Sequence, residues 1–144
     1  MNPGPDALEE LLTQLIHAMD LHRPLPTSSG QALSLSELLA LSHLAGAAPL
    51  SQRDLAVRLR LEKSTVSRMV AGLEQRGCVA RLRDPANRRH YQVTLTVYGQ
   101  GLVEGMRSTM RDRHQRLLAT LTSGEREAME TGIRALIRVL DATS

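Results

Sequence analysis

The chain has 144 residues, no Trp, no Phe and only two Tyr, and its 18 basic side chains against 15 acidic ones give a formal net charge of +3. That length is about one domain's worth, enough to bury a core but short for separate binding and catalytic domains, and a core without large rings must be built from Leu, Val, Ile, Met and Ala, which suit helix packing better than a sandwich. A single cysteine excludes an intrachain disulfide, no apolar run approaches the ~20 residues of a membrane span, and the N-terminus lacks the layout of a signal peptide, so a cytoplasmic protein with no membrane partner is expected.

Taken in chain order, residues 6 to 21 place Leu8, Leu11, Leu12, Leu15, Ile16 and Met19 on one stripe, which predicts an amphipathic first helix. Pro24, Pro26, Ser28, Ser29 and Gly30 then predict a loop with no regular element. Ser34 with Glu37 forms a capping-box pair that opens a second helix, ending near Ala47 ahead of Pro49. Ser51 with Asp54, flanked by Leu50 and Leu55 as a hydrophobic staple, starts a short third helix to about Leu59. Val66, Met69, Val70 and Leu73 recur at helical spacing up to Gly77 and predict a fourth helix over 63–76.

Beyond it, residues 78–83 alternate weakly and 90–95 clearly, with Tyr91, Val93 and Leu95 on one side. The turn formers of 84–89 between them end in Arg88 and Arg89, as at a hairpin tip. Thr96 opens a long fifth helix to about Leu121, and the Thr122/Glu125 capping box opens a sixth with Met129, Ile133, Leu136, Ile137 and Leu140 on one stripe. The outer helices carry more apolar surface than one small winged domain covers, which predicts a second copy as partner.

Charge is unevenly spread. Residues 51–96 hold ten of the basic side chains and only four acids, a net +6, whereas the remainder is −3. Helix, turn, helix, two strands and a basic tip, in that order and with that charge, describe a winged helix-turn-helix suited to duplex DNA. Lys63, Ser64, Thr65, Ser67 and Arg68 cluster on the polar face of the fourth helix, as base-reading and phosphate-binding groups do in a major groove. Arg89 is expected in the adjacent minor groove and Arg88 on phosphate. For Arg53 and Arg58 on the third helix, phosphate contact and plain solvation are equal alternatives.

Other chemistries are poorly represented. There is no phosphate-binding glycine loop, no Gly-x-Ser-x-Gly and no Cys-x-x-Cys, so no enzyme activity, cofactor or catalytic residue is expected. His17, His22, His43, His90 and His114 lack metal-ligand spacing. Cys78 reads as a small buried hydrophobe rather than a sensor, although Arg76, Arg81 and Arg83 would lower its pKa if it were exposed. Met19, Met106, Met110 and Met129 read as core, with the lining of a ligand cavity as the alternative.

These segments resemble the MarR family of winged helix-turn-helix transcriptional regulators along nearly the whole chain. The resemblance lies in Ser51-Gln52-Arg53-Asp54-Leu55-Ala56, in Ser64-Thr65-Val66-Ser67-Arg68-Met69-Val70 and in Leu73-Glu74-Gln75-Arg76-Gly77. It continues in Arg83-Asp84-Pro85 with Asn87-Arg88-Arg89, in Leu95-Thr96-Val97-Tyr98-Gly99 and in Leu121-Thr122-Ser123-Gly124-Glu125. It implies a mainly α homodimer with a two-stranded β wing, bound to a pseudopalindromic operator, usually as a repressor released by a small-molecule effector or by oxidation. A single domain over 1–144 is expected, with a DNA-binding lobe at about 34–96 and dimerisation helices at about 6–22 and 97–141. A winged-helix module that binds protein, or DNA without operator specificity, is the alternative, and the +6 segment argues against it.

Two departures from the family pattern matter. Many members carry Asp-x-Arg at the wing, where this chain has Asn87-Arg88-Arg89, so Arg89 matches the wing arginine while an amide replaces the acid that would hold it. Oxidation-sensing members carry the reactive cysteine near the N-terminus, so the position of Cys78 disfavours peroxide sensing by that route.

Overall fold

The computed structural model describes residues 2–144. Six helices, α1 (Pro5–Ala18), α2 (Leu35–Ala47), α3 (Gln52–Leu59), α4 (Lys63–Gln75), α5 (Val97–Thr120) and α6 (Ser123–Thr143), are joined by five short strands, β1 (Leu25–Pro26), β2 (Ala32–Leu33), β3 (Leu50–Ser51), β4 (Val79–Arg83) and β5 (Tyr91–Leu95). The chain divides into two compact units, one ending at Met106 and one beginning at Arg107.

In the first unit the core is aliphatic. Leu33, Leu41, Leu44, Leu55, Val66, Val70, Leu73, Val93 and Val103 are buried together with Cys78. Ser34 caps α2 by the full reciprocal box, its hydroxyl accepting from the Glu37 N–H at 3.1 Å while the Glu37 carboxylate accepts from the Ser34 N–H at 2.9 Å. Ser51 caps α3 by accepting from the Asp54 N–H at 3.0 Å, and the staple residues Leu50 and Leu55 are both buried. The turn into α4 passes through Arg60 in the left-handed region, at φ 54°.

A Schellman pair closes α4: the Gly77 N–H donates to the Glu74 carbonyl and the Cys78 N–H to the Leu73 carbonyl. Gly77 sits at φ 76°, where a side chain would be strained. The chain then enters β4, which pairs antiparallel with β5 from Val79↔Leu95 to Arg83↔Tyr91.

Three features differ from the sequence reading. The first helix stops at Ala18, because Met19 to Leu21 turn back on it and Asp20 takes φ 56°. Part of the stretch read as a plain loop, Leu25–Pro26, pairs with Ala32–Leu33 beyond it in the two-residue ladder β1·β2, closed by Thr27 and Gly30, whose N–H groups bond the Gln31 and Thr27 carbonyls. Pro26 is tolerated there because so short a ladder asks almost no donors of it. The wing hairpin is present, and a third strand joins it: β3 pairs with β5 at Leu50↔Val93 and Ser51↔Gln92, giving the order β3-β5-β4. Two residues of strand ahead of a helix cap carry no readable alternation.

The start of α5 is clamped to the α4–β4 corner. The Thr96 hydroxyl accepts from the Gly99 N–H at 3.0 Å and donates to the Gly77 carbonyl, and the Thr96 N–H donates to the Cys78 carbonyl at 3.2 Å. So close is the approach that a Cβ on Gly99 would stand 1.9 Å from the Cys78 oxygen. In the second unit α6 opens on its own capping box, Thr122 with Glu125, and these hydrogen bonds hold the Glu125 carboxyl below the usual carboxylate range. No residue of α6 is buried. In the first unit α1 likewise buries none of its residues, and Leu8, Leu11, Leu12, Leu15 and Ile16 all stay exposed.

Ionic cross-links tie α4 to its neighbours. Arg76 donates to the Ala32 carbonyl at 3.0 Å and pairs with Glu37, tying the end of α4 to β2 and the start of α2. Arg81 clasps Glu74 through Nε and Nη2, at 2.9 Å for the shortest contact, which ties β4 to α4. Those hydrogen bonds, and then the attraction of the guanidinium, lower the Glu74 pKa, and the same bonds raise that of Arg81.

Gly99→Ala is expected to destabilise the protein by about 1–3 kcal/mol, because a backbone carbonyl cannot swing away from the added methyl. Gly101→Ala, with nothing within 4 Å of the new methyl, should instead be neutral or stabilise by up to about 1 kcal/mol. Urea unfolding of the pair checks both signs. Because the folded Glu74 has a depressed pKa, its contribution is present above the unfolded value and disappears as the pH falls through the folded one. The stability gap between wild type and Glu74→Gln should therefore stand at pH 7, at no more than about 1 kcal/mol for so exposed a pair, and vanish on acidification below the carboxylate range.

Candidate nucleic-acid interface

The orientation of α4 follows from which of its residues are apolar. Val66, Val70 and Leu73 are buried on one face, and a turn of 3.6 residues puts Ser64 and Arg68 nearly opposite them. Ser64, Arg68 and Lys63 are exposed, and Thr65 and Ser67 are half-buried on the flanks. The polar cluster read from the sequence is thus one outward surface.

Ahead of α4, the side chains of α3 meet the wing. A groove of about 680 Å³ is lined by Ser51, Gln52, Arg53, Asp54 and Val57 from β3 and α3, by Lys63 from α4, and by Asp84, Arg89, His90, Tyr91 and Gln92 from the wing. Arg53, Lys63 and Arg89, 36 positions apart along the chain from first to last, therefore line one concave surface. Their spacing is set by the β3·β5 ladder, since Ser51 caps α3 and pairs with Gln92 in β5. Ser64, Thr65, Ser67 and Arg68 do not line that groove. Arg88 lines a second, smaller concavity with Arg83, Asp84 and Pro85. His90, Gln92 and Gln52 also line the groove without having been among the DNA-contact candidates, because neutral groups at a strand end and a helix start carry no charge or periodicity signal.

The wing tip is held by its own short bonds. Asp84 Oδ1 accepts from the Ala86 N–H at 2.8 Å, the Asp84 N–H donates to the His90 carbonyl, and Asn87 Oδ1 accepts from the Arg89 N–H at 3.2 Å. Asn87 therefore orders the Arg89 backbone instead of holding its guanidinium. Among the ten basic side chains of this segment, Arg76 and Arg81 sit in the structural ion pairs described above. Arg53, Arg58, Lys63, Arg68, Arg88 and Arg89 are exposed.

Cys78 is buried, and burial raises its pKa. The attraction of Arg76 acts the other way and is the smaller effect, in keeping with a guanidinium already paired to Glu37. A thiol so placed is a packing group with little thiolate at neutral pH. The His17 and His22 rings meet edge to face at 5.0 Å. Among the described residues no cluster of three or more His, Cys, Asp or Glu side chains is placed to hold a metal ion, and no helix is long and apolar enough to cross a membrane.

Comparison with known proteins gives a consistent answer. Residues 33–90 match the model of the MarR family. An HTH-type transcriptional regulator of Mycobacterium tuberculosis is 29% identical over 109 residues, which is 76% of either chain. Two solved structures share the fold: FabT of Streptococcus pneumoniae in complex with DNA, at a TM-score of 0.81 with 17% identity over 96% of either chain, and PcaV of Streptomyces coelicolor in complex with its natural ligand, at 0.70 with 24% identity over 100% of either chain. With helix-turn-helix, three-stranded wing and long terminal helices all in place, the chain belongs to the MarR family of winged helix-turn-helix transcriptional regulators.

Proposed function

We propose that this protein is a homodimeric, sequence-specific DNA-binding transcriptional regulator that represses from a pseudopalindromic operator and is released by a small-molecule effector. The observation that carries this reading is the union of the α4 outward face with the groove that gathers Arg53, Lys63 and Arg89. One surface then offers short polar and cationic groups for base edges, with flanking cations for phosphates. The α4 residues Ser64, Thr65, Ser67 and Arg68 enter the major groove, Arg89 reaches the adjacent minor groove, and Arg53, Lys63 and Arg88 hold phosphates. The FabT–DNA complex supports DNA as the partner, and the ligand complex of PcaV supports an effector.

A second copy is the partner for the apolar stripes of the terminal helices. Leu11 is 58% exposed, and Ile133, Ile137 and Leu140 are each about half exposed. Fully burying an exposed side chain of this size is worth about 1.5–3 kcal/mol, so covering these half-exposed ones gains about half of that each, and the whole stripe must pair to offset the cost of association. The two recognition helices of the dimer then address successive major grooves about 34 Å apart. An effector that binds the dimer with mismatched spacing more tightly releases DNA, with a coupling of about 1–3 kcal/mol.

The test is a titration of purified protein against genomic fragments at two salt concentrations, with the retained DNA sequenced. A palindromic motif and a steep salt slope are expected. Sequence-blind, weak retention would instead favour an architectural or protein-binding winged module. Arg68→Ala should weaken binding to the recovered motif by about 1–3 kcal/mol more than binding to random DNA, whereas Arg53→Ala should weaken both equally. Ile137→Glu, which places a charge on the exposed α6 stripe, should yield a monomer by sedimentation with intact helical content and no binding to the palindrome.

A further inference from the structure

Arg83 counts with the cations of the basic segment, yet its bonding sets it apart. It closes the β4·β5 ladder opposite Tyr91, and directly opposed residues of an antiparallel pair project on the same face. Its guanidinium carbon lies 5.3 Å from the centre of the Tyr91 ring, a cation–π distance. From that seat Nη1 reaches across the tip and donates to the Arg88 carbonyl at 2.8 Å. The residues following that carbonyl are Arg89, whose N–H is tied to Asn87, and His90, whose carbonyl accepts from the Asp84 N–H. Arg83 thus braces the backbone of the Arg88–Arg89 step across the hairpin tip, where Asn87 bonds only backbone.

Resting on the DNA-binding reading above, we propose that Arg83 is a positioning residue for the wing: it presents Arg88 and Arg89 to DNA and makes no phosphate contact itself. Charge alone does not perform this role. A planar group is needed to stack on Tyr91 while one N–H points along the strand to the carbonyl, and a lysine ammonium supplies the charge without the plane or the fork.

The test uses the full-length protein and the duplex best retained from a random-sequence selection. Arg83→Lys keeps the charge and is expected to lose affinity by roughly tenfold, the equivalent of one charge-assisted hydrogen bond and its stack. Tyr91→Leu should lose a similar factor, and the double variant no more than either single one, because both act through one brace. Hydroxyl-radical footprints should lose protection only at the outer minor grooves, while protection under the recognition helices and the thermal midpoint stay as in wild type. Wild-type affinity in Arg83→Lys, or a footprint that keeps its outer minor-groove protection in Arg83→Met, would overturn the proposal. Arg89→Ala separates the two levels: its failure to alter affinity or footprint would remove the wing from DNA and bring down the wing reading itself.

Discussion

The short pairing of β3 with β5 is the constraint on which the rest of the recognition surface depends. It consists of two residue pairs, Leu50↔Val93 and Ser51↔Gln92. Three of the four residues have a second task, since Leu50 and Val93 are buried in the core and Ser51 caps α3. A slip of β5 by one residue would turn Val93 out of the core, so burial specifies the register. Through that register the α3 cation Arg53 and the wing cation Arg89 reach one groove with Lys63.

Charge in this protein is divided by geometry into two kinds of work. Arg76 and Arg81 are anchored by Glu37 and Glu74, and they fasten α4 at its end to α2 and β4. Half-exposed pairs of this sort add little stability, about 1 kcal/mol or less each, so their effect is orientation more than energy. The energy comes from the aliphatic core, in which Val66, Val70 and Leu73 hold α4 down. Arg53, Lys63, Arg68, Arg88 and Arg89 are exposed, and their field is strongest at low salt and is screened over about 10 Å at 0.1 M.

The terminal helices follow a different logic from the winged lobe. Capping defines where α6 begins, as the Thr122/Glu125 box makes plain, but no residue of α1 or α6 is buried. Helices of this length gain most of their stability from packing an amphipathic face and little from intrinsic propensity. A folded chain that leaves such stripes open is complete only with a partner that covers them, and a second copy presents the same stripes.

Local signals in the sequence determined the elements of the winged lobe almost to the residue. Ser34, Ser51, Thr96 and Thr122 each sit at a helix start, and Gly77 at a helix end, because caps and left-handed turns are chosen by the chemistry of one or two neighbouring residues. The polar face of α4 was equally legible, since helical period and apolar spacing leave it no other orientation. Tertiary structure alone decided what involves distant partners. The third strand, the β1·β2 ladder and the contact between Gly99 and the Cys78 carbonyl exist because segments far apart in sequence meet, and a two-residue strand or a lone glycine has no periodicity to announce it. The same holds for three arginines: in the sequence Arg76, Arg81 and Arg83 are equivalent positive charges, and only the carboxylate, ring or carbonyl that each meets in the fold shows which elements it fastens.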